Sequence, residues 1–282
     1  MPKHSDQSYC ADAVRTFDRD RWLGAGLAPP DARRRLLALF ALNVEIARIS
    51  ELTTEPLARG IRHQWWRDAL GTLEGEGAQG HPVLREVAAA IQASGLGLDE
   101  VIAFAEARIG EADADAPPDI DRFQSLCLET GGALCRMAAR LLGVQAQTAL
   151  DAAADVGTAH AMVGQLRNTA WWAARDRIVL PLDLLDRHRV TTGAIRAGRA
   201  DEGLALVAEE IAGRAAALLA NARMERDSVP REALPALVIA RLADGQLRRL
   251  GRRRFELLAH GIEPLPLTAP LAVLRGGLTG RY

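Results

Sequence analysis

The sequence predicts an all-α fold, and three observations carry that prediction. Alternating β-branched and aromatic runs are almost absent, with aromatic residues at only 4% of the 282 positions. Apolar residues recur instead at alternating three- and four-residue steps, the period that lines one helix face. Prolines fall between these periodic stretches, at Pro29, Pro30, Pro56, Pro82, Pro117, Pro118, Pro181, Pro230 and Pro264, where helices should begin or end.

From the N-terminus, MPKHSDQSYCADAVR has no apolar core after its charged start, and no later stretch is long and apolar enough to span a bilayer. A chain that is neither secreted nor membrane-integral is expected. The next segment, Asp31 to Glu51, carries Leu36, Leu37, Leu39, Phe40, Leu42, Val44, Ile46 and Ile49 and keeps few polar sides. It predicts one central, buried helix. Asp31, Thr54, Asp119 and Asp201 are candidate N-caps near the breaks.

Two longer connections interrupt the pattern, the Gly-rich stretch Gly71 to Gly80 and the acidic EADADAPPD ending at Asp119. Asp113, Asp115 and Asp119 there read as a solvated loop rather than a metal site, and Asp183 with Asp186 reads as a helix start after Pro181. Long helices are expected over Asp155 to Trp172, with Val156, Ala159, Val163, Leu166 and Ala170 on one face, and over Leu204 to Ala222, with Leu204, Val207, Ile211, Ala215 and Leu218. No linker or internal repeat divides the chain, so one multi-helix domain over residues 1–282 is expected.

Composition narrows the function. Hydrophobic residues make up 49% and charged residues 25%, enough apolar surface for a large core. A net charge of -1 argues against nucleic acid as a partner. Lys3 is the sole lysine, so positive charge rests on arginine, which suits carboxylate and phosphate partners but also follows from a GC-rich coding bias. Cys10, Cys127 and Cys135 are too few and too widely spaced for a disulfide framework or a metal clip, which fits a reducing cytoplasm. No Ser/His/Asp order, HExxH pattern or phosphate-cradling loop is visible.

The stretch ALFALNVEIARISE from Ala38 resembles the first aspartate-rich helix of the squalene/phytoene synthase family. GTAHAMVGQLRNTAWWAARDRIVLP, from Gly157 to Pro181, is similar to that family's second aspartate motif and its Arg-x-x-Leu-Pro segment, here Arg177 to Pro181. Weaker similarities lie at Gln64 to Leu70, His81 to Val83 and Thr130 to Gly132. The resemblance spans about the whole chain and implies the all-α class I isoprenyl synthase fold. The family's chemistry uses carboxylates on two facing helices to hold Mg²⁺ against a substrate diphosphate.

Aligned on these motifs, the first set of aspartates falls on Ala47, Arg48 and Glu51, of which only Glu51 is acidic. The second set falls on Asn168 and Trp172, with Arg167 matching the arginine before it. A fixed positive charge at Arg48 repels a divalent cation. The resemblance therefore implies no catalytic residue and no metal ligand. Its candidate cavity contacts are Arg48, Glu51, Gln165, Arg167, Asn168, Trp172 and Arg177.

Other readings stay open beside these. Glu45 and Arg48 read as an ion pair, Gln165 and Arg167 either hold an anion or bridge helices, and Trp172 would make the pocket smaller and drier or simply fill core. One member each of Trp65/Trp66 and Trp171/Trp172 should pack while the other faces away.

The substitutions and the fragments Asn43 to Glu45, Gln64-x-Trp66 and Arg177 to Pro181 resemble the branch that contains complex I assembly factor 6. That branch implies an assembly or interaction factor for respiratory complex I, with no cofactor, in a bacterial cytoplasm near the inner membrane. The alternatives are a prenyltransferase coupling two isoprenyl diphosphates with Mg²⁺, and a carrier holding an isoprenoid or lipid ligand. The stretch LRRLGRRRFELL, Leu247 to Leu258, and the apolar segment Pro264 to Tyr282 offer a peripheral membrane contact, or a packed terminal helix with an arginine-rich solvent face.

Overall fold

A computed structural model describes residues 5–53, 55–73, 80–199, 202–258 and 268–282, the side chains at 112 and 113 excepted. The caps expected at Thr54 and Asp201, most of the Gly-rich stretch and Pro264 lie outside the described residues, as does the Asp113 side chain. No strand occurs among the described residues.

The first half of the chain forms α1 (Asp6–Phe17), α2 (Arg19–Ala25), α3 (Pro30–Ala47), α4 (Ile49–Leu52), α5 (Pro56–Gly71), α6 (Pro82–Ser94), α7 (Leu98–Asp113), α8 (Ile120–Cys127) and α9 (Ala133–Leu141). The second half forms α10 (Gln147–Ala173), α11 (Leu182–Arg187), α12 (Thr192–Arg196), α13 (Glu202–Met224), α14 (Leu234–Leu237), α15 (Ile239–Arg252) and α16 (Ala269–Thr279).

The prolines act as punctuation. Pro30, Pro56 and Pro82 stand in the first turn of α3, α5 and α6, where the missing N–H costs nothing. Asp119 caps α8 by accepting from the Arg122 amide at 2.7 Å. At α3 the cap position is Pro29 and Asp31 lies in the first turn instead, where its charge still suits the helix dipole.

Two helices organise the core. α3 is buried without a break from Leu36 to Val44 and packs against α1, α6, α7 and α9. α10 runs longer than the periodic stripe alone marks, and packs against α9, α13 and α15. The expected helix over 31–51 does not continue to its end. It stops at Ala47, and Arg48 leads into the separate short helix α4.

α10 approaches a π-helical turn, Leu128–Gly132, at close range. A Cβ on Gly131 would stand 2.6 Å from the Gly157 carbonyl oxygen, and one on Gly157 would stand 2.6 Å from the Cys135 Cβ. Glycine at both positions allows the two backbones to touch. Thr130 holds the turn by donating to the Leu126 carbonyl at 2.7 Å. The three cysteines are buried and free.

Candidate functional site: a polar cavity between α2, α4, α7 and α10

A cavity of about 560 Å³ opens between these helices. Ala47, Glu51, Gln165, Arg167, Asn168, Trp172 and Arg177 all line it, so residues from both motif segments meet across one space. Arg48 does not line it. Its guanidinium lies 3.4 Å from the Phe17 ring centroid and its Nε is 3.8 Å from Glu51. The pairing of Arg48 with Glu45 expected from their spacing is not formed; Glu45 instead accepts from the Tyr9 hydroxyl at 2.8 Å.

The lining is charged as well as apolar. α2, which no motif pointed to, contributes Asp20 and Arg21 together with its cap Asp18, and α7 contributes Arg108 and Glu111. Trp172 does stand in the wall, with the Arg177 guanidinium 4.5 Å from its ring centroid, yet charged groups surround it. Both Trp171 and Trp172 are half-buried and meet edge to face, whereas Trp66 is buried and Trp65 is 42% exposed.

Each carboxylate in this wall already has a protein partner. Asp18 caps α2 and pairs with Arg21 at 2.8 Å. Asp20 takes a hydrogen bond from the His160 side of α10, Nε2 to Oδ2, at 2.9 Å. Burial pushes the Asp20 carboxyl up, but the His160 hydrogen bond and the charges of His160, Arg167 and Arg21 outweigh it and hold its pKa below the usual value. Glu111 pairs with Arg108 and accepts from Gln165 Nε2 at 2.8 Å, while its backbone carbonyl accepts from Arg177. Glu51 stands at the rim, 43% exposed, where partial desolvation raises its pKa despite Arg48 and Arg175 nearby.

Burial lowers the Arg167 pKa against the opposing pull of Asp20. Several buried atoms in the wall make no hydrogen bond within the protein: Asp20 Oδ1, Asn43 Oδ1, Gln165 Oε1, Arg21 Nε and Arg108 Nε. These atoms are closed off from the open space, so the polarity a guest would meet comes from the charged and amide side chains that line the cavity, which disfavour a bare hydrocarbon tail.

Asp20, Arg21, Arg108, Glu111 and His160 were not legible as site residues, since their helices meet only in three dimensions. The run Asp18 to Arg21, four charges beside a buried helix, was the one signal available. No group of three or more His, Cys, Asp or Glu able to hold a metal occurs among the described residues. The acidic loop holds Asp115 between helices and Asp119 as a cap, and Asp183 lies in the first turn of α11.

Fold and cavity together define an all-α helical protein whose central site is polar and arginine-rich. The squalene/phytoene synthase family model matches residues 14–269. The chain belongs to that family. It is 26% identical over 274 residues to the mouse NADH dehydrogenase (ubiquinone) complex I, assembly factor 6, covering 97% of this chain and 82% of the mouse protein. The fold matches a dehydrosqualene synthase crystal structure with a TM-score of 0.85 at 16% identity, over 98% of this chain and 96% of that one. It also matches squalene synthase HpnC from Alicyclobacillus acidocaldarius with a TM-score of 0.78 at 17% identity, over 89% and 94% of the two chains.

Proposed function

We propose that this chain is an assembly factor for respiratory complex I that keeps the family's fold and cavity without its Mg²⁺-dependent prenyl coupling. The observation that carries the reading is the content of the two motif positions. Where two facing sets of carboxylates would hold Mg²⁺, the chain has Ala47, Arg48, Asn168 and Trp172. Of the acids that reach the cavity, Asp18, Asp20 and Glu111 are spent on Arg21, His160 and Arg108, and Glu51 at the rim lies 3.8 Å from Arg48. Such a set does not fit a dinuclear or trinuclear Mg²⁺ site, because ligand number and identity decide metal affinity. The relatives named for complex I assembly, aligned over nearly the whole chain, support the biological half of the reading.

We place this action in a cytoplasm, at the surface of the membrane that carries complex I. No helix among the described residues is long and apolar enough to cross a membrane, so the contact would be peripheral. The cavity would serve as a rigid, polar frame or hold a small anionic group on Arg167 and Arg177. A deletion strain tests the assembly role. Loss of NADH:quinone oxidoreductase activity and of the assembled complex on native gels, both restored by the intact chain, is expected. Normal complex I in that strain would refute it.

A further inference from the structure

A second feature of the molecule, outside the cavity lining, lies on α16. Leu271, Leu274 and Leu278 are spaced three and four apart and so form one stripe, and they are 67%, 51% and 72% exposed. Ala269, Val273 and Gly276 on the opposite side are buried against Val238 and Leu242 of the neighbouring helices. α16 is therefore held to the body by one face and turns a leucine ridge outward.

One flank of this helix borders a pocket of about 310 Å³ lined by Arg223, Arg226, Arg241, Arg248 and Arg281 with a single acidic side chain, Asp244, among the described residues; Arg223 also donates to the Tyr282 oxygen at 3.0 Å. Arg223 is the one that Asp244 neutralises, at 2.7 Å. Asp227 stands 3.9 Å from Arg226 but is 99% exposed, so water screens it. The pocket keeps a net positive charge. Arg275 of α16 is exposed as well. The other flank is a groove of about 420 Å³ between α16 and α14, which Leu274 and Leu278 line together with Leu27 and Leu234 and with the charged Arg231 and Glu232.

A ridge of leucines beside clustered arginines matches the chemistry of an anionic bilayer surface, where apolar side chains enter the acyl boundary and guanidinium groups meet phosphate. We propose that α16 and the adjoining arginine pocket dock the chain onto an anionic phospholipid bilayer, the pocket taking a lipid phosphate and the three leucines entering the membrane. The proposal rests on the membrane-surface setting given above and assigns the face that makes the contact. Another exposed apolar ridge, Leu57, Ile61 and Trp65 on α5, carries Arg59 and Arg62 on its own helix, and so serves as the internal comparison for the test.

Co-flotation of the full chain with large unilamellar vesicles tests it. Binding is expected to vesicles of phosphatidylcholine with 30–40% phosphatidylglycerol or cardiolipin, roughly tenfold weaker to phosphatidylcholine alone, and weakened again by salt as exposed charges are screened. Leu274→Asp/Leu278→Asp and, separately, Arg241→Glu/Arg248→Glu should each reduce binding about tenfold or more, with unchanged circular dichroism and melting. Leu57→Asp/Ile61→Asp should retain it. Absence of vesicle binding, insensitivity to lipid charge, or equal loss from the α5 variant would overturn the assignment. So would a concentration-dependent dimer abolished by Leu278→Asp, which would make the ridge a contact between copies. Flotation reads lipid contact alone and the deletion strain reads assembly, so the two readings fail separately.

Discussion

His160 Nε2 lies 2.9 Å from Asp20 Oδ2, tying α10 to α2 across the wall of the cavity over 140 positions of sequence. The Asp20 carboxylate is buried, and its ionised form is held by His160, Arg167 and Arg21 against the cost of burial. Its folded pKa lies below its unfolded value. The stability it contributes is therefore present above the unfolded carboxylate range, near pH 4, and is lost as pH falls through the lower folded pKa. Asp20→Asn should cost about 2–3 kcal/mol at neutral pH, as expected for a buried charge-assisted hydrogen bond. Denaturant titrations of both proteins from pH 7 to pH 2.5 check this. The gap should close toward acid, and a gap independent of pH would refute the assignment.

The long helices were legible because their stripes are strong. Val156, Ala159, Val163 and Leu166 are buried on α10, and Leu204, Val207, Ile211 and Ala215 on α13. The break at Arg48 was not, because Ile46 and Ile49 preserve helical spacing across it and neither proline nor glycine marks it. The motif residues of the cavity were legible through resemblance alone, which aligned Ala47, Glu51, Asn168 and Trp172 without saying what stands opposite them. Asp20, Arg108 and Glu111 come from other helices, and no periodicity records a charge that finds its partner through tertiary packing.

The contact between Gly157 and the π-helical turn sets how closely α10 approaches the wall that carries Gly131. Gly157→Ala would drive a methyl into the Gly131 carbonyl and within 2.6 Å of the Cys135 Cβ. Relief requires backbone movement, and a loss of about 2–3 kcal/mol is expected. Gly164→Ala on the same helix meets nothing within 4 Å and should be neutral or slightly stabilising. Thermal melts of the two variants give the comparison.

Arg34 grips Glu86 through Nε at 2.6 Å and Nη2 at 2.8 Å, fastening α3 to α6. The Glu86 side chain is 6% exposed and that of Arg34 50%, so the two truncations are unequal. Arg34→Ala strands a buried carboxylate and should cost about 3 kcal/mol, whereas Glu86→Gln frees an arginine into water and should cost about 1 kcal/mol. Chemical denaturation at pH 7 should give that order, and the reverse order would show the pair to be held by something other than carboxylate burial.

Magnesium offers another check. The acids lining the cavity are bound up with Arg21, His160 and Arg108, so the melting temperature of the chain should be unchanged by millimolar Mg²⁺ with or without a non-hydrolysable farnesyl thiodiphosphate. A rise of several degrees that needs both ligands together would reveal a metal site that these contacts do not describe.

The central claim is that the family fold persists here without the ionisation chemistry, and diphosphate release tests it most directly. The full chain is incubated with farnesyl or geranylgeranyl diphosphate, Mg²⁺ or Mn²⁺, and with or without NADPH. No release above the protein-free control is expected. Turnover that disappears in Glu51→Ala or Arg167→Ala would contradict the account and make the cavity a working prenyltransferase site.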